Sequence, residues 1–280
     1  MRFRIVEITI SNALSRSGLP DLDYALNPYI GCSHRCLYCY ARDYVPNREV
    51  VDNWGYVIYV KKNLLDVLER EVKRFRKGVV GLGTITDGYQ PVEALYKLSI
   101  RSIEILVKNE FKVSIQTKSS LILRDLDVLK RYRSYIDVGI TITSTKNDSP
   151  MKSLEVFSSP PSARIEALKR LASEGIKTWI FLGPIIPGYN DDITEISEVL
   201  NIARETNSIV YFDKLRVKSF MWRNRLLSQL AKKAIKYDWN GFFKQIFDLC
   251  KSLGVECRYA FESEEREKIK TLDLYRKSIP

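Results

Sequence analysis

The sequence predicts an α/β chain, a partial (βα)6 TIM-like barrel with a small, mainly helical C-terminal extension. Three observations predict it. Short apolar runs alternate with helical periodicities six times between residues 27 and 213, as in parallel strands joined by crossover helices. Polar residues gather just past the ends of those runs, at Thr84 to Asp87, Lys118, Thr141 to Ser144 and Gly183 to Gly188. Sites of parallel barrels sit at those carboxyl ends. Past Phe220 the pattern changes to two helical stretches followed by a short strand.

The elements follow in order. Met1 to Ile8 alternates like a strand, and a first barrel strand is expected just before Cys32. Asn63 to Lys77 places Leu64, Leu65, Leu68, Val72 and Phe75 on one helical face, with Asn63 as a candidate cap. Strands are then expected at Val79 to Ile85, Phe111 to Thr117, Asp137 to Thr143, Lys177 to Gly183 and Ile209 to Phe212. Helices are expected at Val92 to Lys108, Asp125 to Tyr132, Ser162 to Ser173 and Ile193 to Glu205. Two more helices, Asn224 to Lys236 and Gly241 to Leu253, precede a strand at Val255 to Tyr259 and a charged tail from Glu262. The expected organisation is a lead-in at 1–26, a barrel at 27–213 and a basic extension at 214–280.

With 280 residues, 45% of them hydrophobic, the chain can bury a large core. No apolar run reaches the roughly 18 residues of a membrane span, and no apolar block with a small-residue cleavage site opens the chain. A membrane association and a signal peptide are therefore not expected. Five cysteines, three of them clustered, argue against a disulfide scaffold and for a reducing, cytoplasmic setting. The net charge of +11 is uneven, because residues 214–280 hold 16 Lys/Arg against 8 Asp/Glu. In that region Lys214, Arg216, Lys218, Arg223 and Arg225 interleave with Phe220, Met221 and Trp222. A polyanionic partner, most simply a nucleic acid, would meet such a surface, and so would plain solvation of lysine-rich helix faces.

The chemistry-bearing motif is Asn27-Pro-Tyr-Ile-Gly-Cys-Ser-His-Arg-Cys-Leu-Tyr-Cys-Tyr40, a C-x3-C-x2-C run of Cys32, Cys36 and Cys39. Three thiolates within eight residues can wrap one metal centre and leave its fourth corner open. A structural zinc would need a fourth ligand, for which the sequence offers only His34 inside the loop or a cysteine more than 200 residues away. An iron–sulfur cube accepts a small molecule there instead. Cys250 and Cys257 read as buried free thiols, with a bridged pair or a ligand pair as alternatives.

This loop resembles that of the radical S-adenosylmethionine (SAM) enzymes. Further segments are similar to the spore photoproduct lyase-like branch: Leu82 to Glu93, Thr117 to Asp127, and Gly175 to Asp191 with its Leu-Gly-Pro-Ile-Ile-Pro-Gly. The resemblance implies a [4Fe–4S] cluster on Cys32, Cys36 and Cys39, SAM as cofactor and a low-potential electron donor as partner. It implies a 5′-deoxyadenosyl radical that abstracts hydrogen from a substrate, either nucleobase-containing or a peptide or small metabolite. Tyr38 would lie against the adenine or merely pack the loop. Thr84, Thr86 and Asp87 would stand near the amino group and substrate, or cap the next helix. Lys118 would meet the SAM carboxylate. Thr141, Thr143 and Ser144 would offer ribose or amino-acid contacts or merely suit a strand, Arg164 would point to the same anionic end or be solvated, and the loop from Gly183 would meet the adenine or form an ordinary turn. One departure stands out, since lyases of this branch carry a hydrogen-donating cysteine where this chain has Thr84. A threonine O–H is too strong a bond for that role, so the family's reaction does not transfer with its name. A non-catalytic, zinc-dependent nucleic-acid-binding protein is the alternative from another class.

Overall fold

Parallel strands linked by outer helices form the frame that carries the cysteine loop. The computed structural model describes residues 3–260. The chain begins with β1 (Arg4–Ile8), β2 (Leu14–Arg16), β3 (Tyr24–Leu26) and β4 (Tyr29–Ile30). After the cysteine loop come α1 (Arg48–Asp52), β5 (Val57–Lys61), α2 (Leu64–Glu71), β6 (Val79–Leu82), α3 (Glu93–Tyr96) and α4 (Leu98–Lys108). The middle of the chain holds β7 (Lys112–Thr117), α5 (Leu126–Arg131), β8 (Ile136–Thr141), α6 (Pro161–Ser173), β9 (Lys177–Ile185) and α7 (Ile193–Glu205). The described chain closes with β10 (Ile209–Lys214), α8 (Arg225–Lys236), α9 (Trp239–Leu253) and β11 (Cys257–Tyr259).

The main sheet runs β11-β10-β9-β8-β7-β6-β3-β2, with β3 to β11 parallel throughout and β2 antiparallel at one edge. Its end strands do not pair with each other, so the barrel is open. Five of the six strands expected from periodicity, β6 to β10, are its centre; the strand just before Cys32, β4, is not part of this sheet, β3 stands in its place beside β6, and β11 extends the sheet beyond β10. A second sheet, β1-β5-β4, stands beside the cysteine loop. The main core lies between the large sheet and the buried faces of α2, α4, α6, α7 and α9.

Several departures have local causes. Asn63 makes no cap bond; its amide pairs with Ile10, taking the Ile10 N–H at 2.9 Å and donating to Ile10 O at 2.9 Å. The expected Val92 to Lys108 helix breaks at Lys97 (φ 51). The fully buried Glu93 carboxylate reaches across the break to accept from Ser99 N at 3.0 Å. Strand β6 stops at Leu82 because Gly83 (φ +90) turns there, with Gln116 O only 2.5 Å from where a Cβ would sit. Cys250 and Cys257, expected as free thiols, form a disulfide with Cα atoms 6.3 Å apart. The chain turns from α9 through Gly254 (φ 66) straight into β11, which folds the two cysteines back beside each other. The charged tail from Glu262 lies outside the described residues.

Candidate active site

The cysteine loop is set by the small sheet. Strand β4 pairs antiparallel with β5, matching Tyr29 to Val60 and Ile30 to Tyr59. Gly31 (φ +86) follows, and a Cβ there would meet Val57 O at 2.7 Å, so only glycine can turn the chain into the loop. The buried Gln90 straps the turn from inside. It accepts from Ser33 N at 2.8 Å and donates to Gly31 O at 3.0 Å. The segment after β8 holds the far side, with Leu37 N donating to Leu154 O at 2.9 Å, Phe157 N to His34 O at 3.0 Å, and an isolated bridge joining Cys36 to Glu155.

Cys32 and Cys36 are buried and Cys39 is half-buried, all three unbridged. Burial pushes every one of these thiols up, Cys36 to about 12. Bare thiolates are therefore disfavoured here, and a metal centre is what would stabilise them.

Around the loop the strand ends contribute distinct groups. Thr84 Oγ1 accepts from Asn27 Nδ2 at 3.3 Å, and Thr84 O accepts from Tyr40 Oη at 2.6 Å. Thr86, buried, donates to Tyr29 O at 2.9 Å. Asp87 sits at a junction: it accepts from Thr117 Oγ1 at 2.7 Å and Lys118 N at 2.8 Å, and lies 3.3 Å from His34 Nδ1. Burial works to raise its carboxyl, but His34 and these donors outweigh burial and hold it down to about 2. The Lys118 ammonium ends β7 half-buried, with no ion pair or side-chain hydrogen bond among the described residues. Its charge reaches Cys36, Cys39 and Glu155.

Arg164 is spent inside the protein. Its guanidinium pairs with Glu155 and donates to Ser159 O at 2.6 Å, Ser158 Oγ at 2.7 Å and Thr141 O at 3.1 Å. Glu155 also accepts from the Tyr38 hydroxyl. Burial opposes the charge on Glu155, yet Arg164 and Lys118 hold its carboxyl below the usual range. The expected free cation at Arg164 is thus an anchor beneath the loop, fixing the Tyr38 ring through Glu155. Gly183 is a packing glycine, since a Cβ there would lie 2.5 Å from the Phe181 ring.

The structure therefore gathers Tyr38, Thr86, Asp87, Lys118 and Arg164 around the three cysteines. Thr141 and Thr143 lie buried at the end of β8, and Thr143 Oγ1 finds no hydrogen-bond partner among the described residues. Ser144 turns away, donating to Glu195 on α7. Sequence reasoning singled out neither Gln90 nor Glu155, and it read His34 as a loop residue or a closing zinc ligand, not as a partner of Asp87. It also missed Asn190, buried, which donates to Thr143 O at 3.0 Å. Gln90 lay inside the quoted Leu82 to Glu93 segment, whereas Glu155 sits in a loop with no periodicity to mark it.

Helix α8 covers this side of the mouth. Leu227, Leu230, Ala231 and Ala234 pack into one apolar cluster with Cys36, Tyr38, Met151, Leu154, Ile186 and Met221. The interleaved basic run divides accordingly: Met221 is buried, Arg216 pairs with Asp213 at 2.9 Å, and Trp222, Arg223 and Arg225 face solvent.

The residues fit an iron–sulfur cube. Three unbridged thiols share one loop, and the Lys118 ammonium, which makes no ion pair among the described residues, is near enough for its charge to reach two of them. Among the described residues no three Cys, His, Asp or Glu side chains converge as one ion would need. A cube asks for less convergence, because each thiolate takes its own iron.

A family model described as the Radical SAM superfamily matches residues 26–200. The chain belongs to the radical SAM superfamily. An uncharacterized protein of Methanocaldococcus jannaschii is 33% identical over 218 residues, covering 78% of this chain and 80% of that protein. The "Radical SAM Nalpha-GlyT isomerase" of Pseudomonas phage M6 is 24% identical over 215 residues, covering 74% of this chain and 42% of that protein. Among solved structures, a spore photoproduct lyase variant with bound SAM and dinucleoside spore photoproduct superposes with a TM-score of 0.68 at 13% identity. That match covers 92% of this chain and 82% of the lyase, and it shows that the two share a fold.

Proposed function

We propose that this chain is an enzyme that cleaves SAM reductively at a [4Fe–4S] cluster and turns the resulting radical chemistry on a nucleobase-containing, polyanionic substrate. The observation that carries the first half is the unbridged cysteine triplet beside an ammonium, Lys118, that makes no ion pair among the described residues. Bound there, a cluster and SAM supply an electron and a strongly hydrogen-abstracting carbon radical.

The chain's own residues do the rest. Cys32, Cys36 and Cys39 hold the cluster. Lys118 offers its charge to the SAM carboxylate, which relieves a half-buried cation. Thr86 and Asp87 line the same end, and Thr143 Oγ1 has a hydrogen bond to give to a ribose or amino-acid group. Tyr38, held by Glu155, presents its ring as a wall for the adenine. The apolar cluster under α8 keeps water from that side.

A nucleobase-containing substrate is supported by the basic, partly aromatic surface beside the mouth. The structurally similar spore photoproduct lyase, which binds a dinucleoside photoproduct, supports it too. Reversal of a photoproduct through a cysteine donor is not part of the proposal, because Thr84 stands at that position.

The test is anaerobic reconstitution with iron, sulfide, SAM and dithionite. About four irons per chain and release of 5′-deoxyadenosine are expected, with yield raised by nucleic acid or nucleosides. A colourless protein that binds zinc and releases no 5′-deoxyadenosine would refute the enzyme reading. Stimulation by peptides or small metabolites alone would replace the substrate class.

A further inference from the structure

Two short turns from distant parts of the chain meet at the rim of the barrel mouth. One is Tyr40–Asp43, which follows Cys39; the other is Ser219–Arg223, which follows β10. The Arg42 guanidinium lies 5.0 Å from the Phe220 ring centroid. The Lys218 ammonium lies 5.3 Å from the Tyr44 ring centroid and 3.9 Å from Asp43 Oδ2. Together the turns leave large rings in water, Tyr44 at 59%, Trp222 at 48% and Tyr40 at 41% exposure. Tyr40 and Tyr44 meet edge to face at 5.9 Å.

One exposed aromatic is ordinary, whereas three on adjoining turns beside a candidate site are a patch with a purpose. The charges around them are one-sided. Arg223 and Arg225 are exposed and have no carboxylate partner among the described residues, and Asp43 is already occupied by Lys218. The rim is also joined to the interior, since the Tyr40 hydroxyl donates to Thr84 O at 2.6 Å, at the end of β6.

We infer that this rim, carried by Tyr44 and Trp222 with Lys218, Arg223 and Arg225, is a stacking platform for a single-stranded stretch of nucleic acid whose base enters the barrel mouth. Rings with open faces accept any base, and flanking cations hold the phosphates between them. A membrane surface would also meet rings and cations, but it calls for a protruding apolar face. Here the rings adjoin the candidate site, since Tyr40 follows Cys39 directly and its hydroxyl bonds Thr84 O. A duplex could not present a base to that mouth without losing its stacking.

The inference rests on the nucleobase reading above, and the experiment separates the two. The reconstituted full chain is titrated with a short labelled poly-dT strand over a salt series, with the matching duplex as competitor and with anionic phospholipid vesicles. The single strand is expected to bind and the duplex to compete poorly. Tyr44→Ala and Trp222→Ala should each weaken binding about fivefold or more, with Trp222→Phe restoring much of it. Arg223→Gln and Arg225→Gln should each flatten the slope of log affinity against log salt by about 0.7. Iron content and 5′-deoxyadenosine release without nucleic acid should not change in Trp222→Ala. Strand binding that is indifferent to Tyr44→Ala and Trp222→Ala overturns the platform and leaves the substrate reading standing. No strand binding at low salt overturns both. Vesicle binding without strand binding assigns the rim to a membrane and also overturns the proposal.

Discussion

Lys118 and Arg164 began as equivalent expectations, two cations for one anionic ligand, and the structure separates them. Arg164 has four internal acceptors, Lys118 none among the described residues. Lys118→Met is therefore expected to weaken SAM binding roughly tenfold to a hundredfold, the range for a hydrogen bond to a charged group. Equilibrium binding of SAM to the reconstituted protein checks it, with iron content unchanged. Glu155→Ala should instead leave Arg164 buried without its counter-charge and cost roughly 3–5 kcal/mol of stability, read by denaturant unfolding. The two variants thus fail in different measurements. At this scale the sequence was legible where a residue directly follows a strand, as Lys118 follows β7. Glu155 was invisible because its importance comes from tertiary contact with Cys36, Tyr38 and Arg164, separated from it by 119, 117 and 9 positions.

At the scale of elements, apolar periodicity located five of the six central strands, β6 to β10, and the helices around them, because that pattern reports burial directly. It missed what long-range contacts decide. Glu93 breaks a continuous helical pattern by capturing Ser99 N, and β4 and β5 form a separate sheet whose short strands carry no clear alternation. The turn at Gly31 is the hinge between that sheet and the cysteine loop. Gly31→Ala forces a left-handed backbone and a contact with Val57 O, expected to cost roughly 1–3 kcal/mol. Iron loading per chain under fixed anaerobic conditions should fall with it. At the other end of the chain, the Cys250–Cys257 bridge closes a loop with a sequence separation of 7. By the chain-entropy argument, its replacement with serines should remove about 2–3 kcal/mol, measured as a lower Tm and faster hydrogen exchange in β11.

For the whole molecule, the fold sets the cysteine loop and a basic, partly aromatic rim beside each other on an open barrel. Helix α8 joins these parts, because its apolar face shares a cluster with Cys36 and Tyr38. The helix and the metal loop therefore draw on the same packing free energy, and linkage makes their stabilities reciprocal. Filling the cluster site should slow proteolysis at Lys232, Lys233 and Lys236, whose side chains are exposed on α8. Loosening the helix with Leu230→Ala should in turn weaken iron retention under a chelator. The barrel would then have a built-in sense of its own maturation, because the wall of its mouth is firm only once the metal it surrounds has been installed.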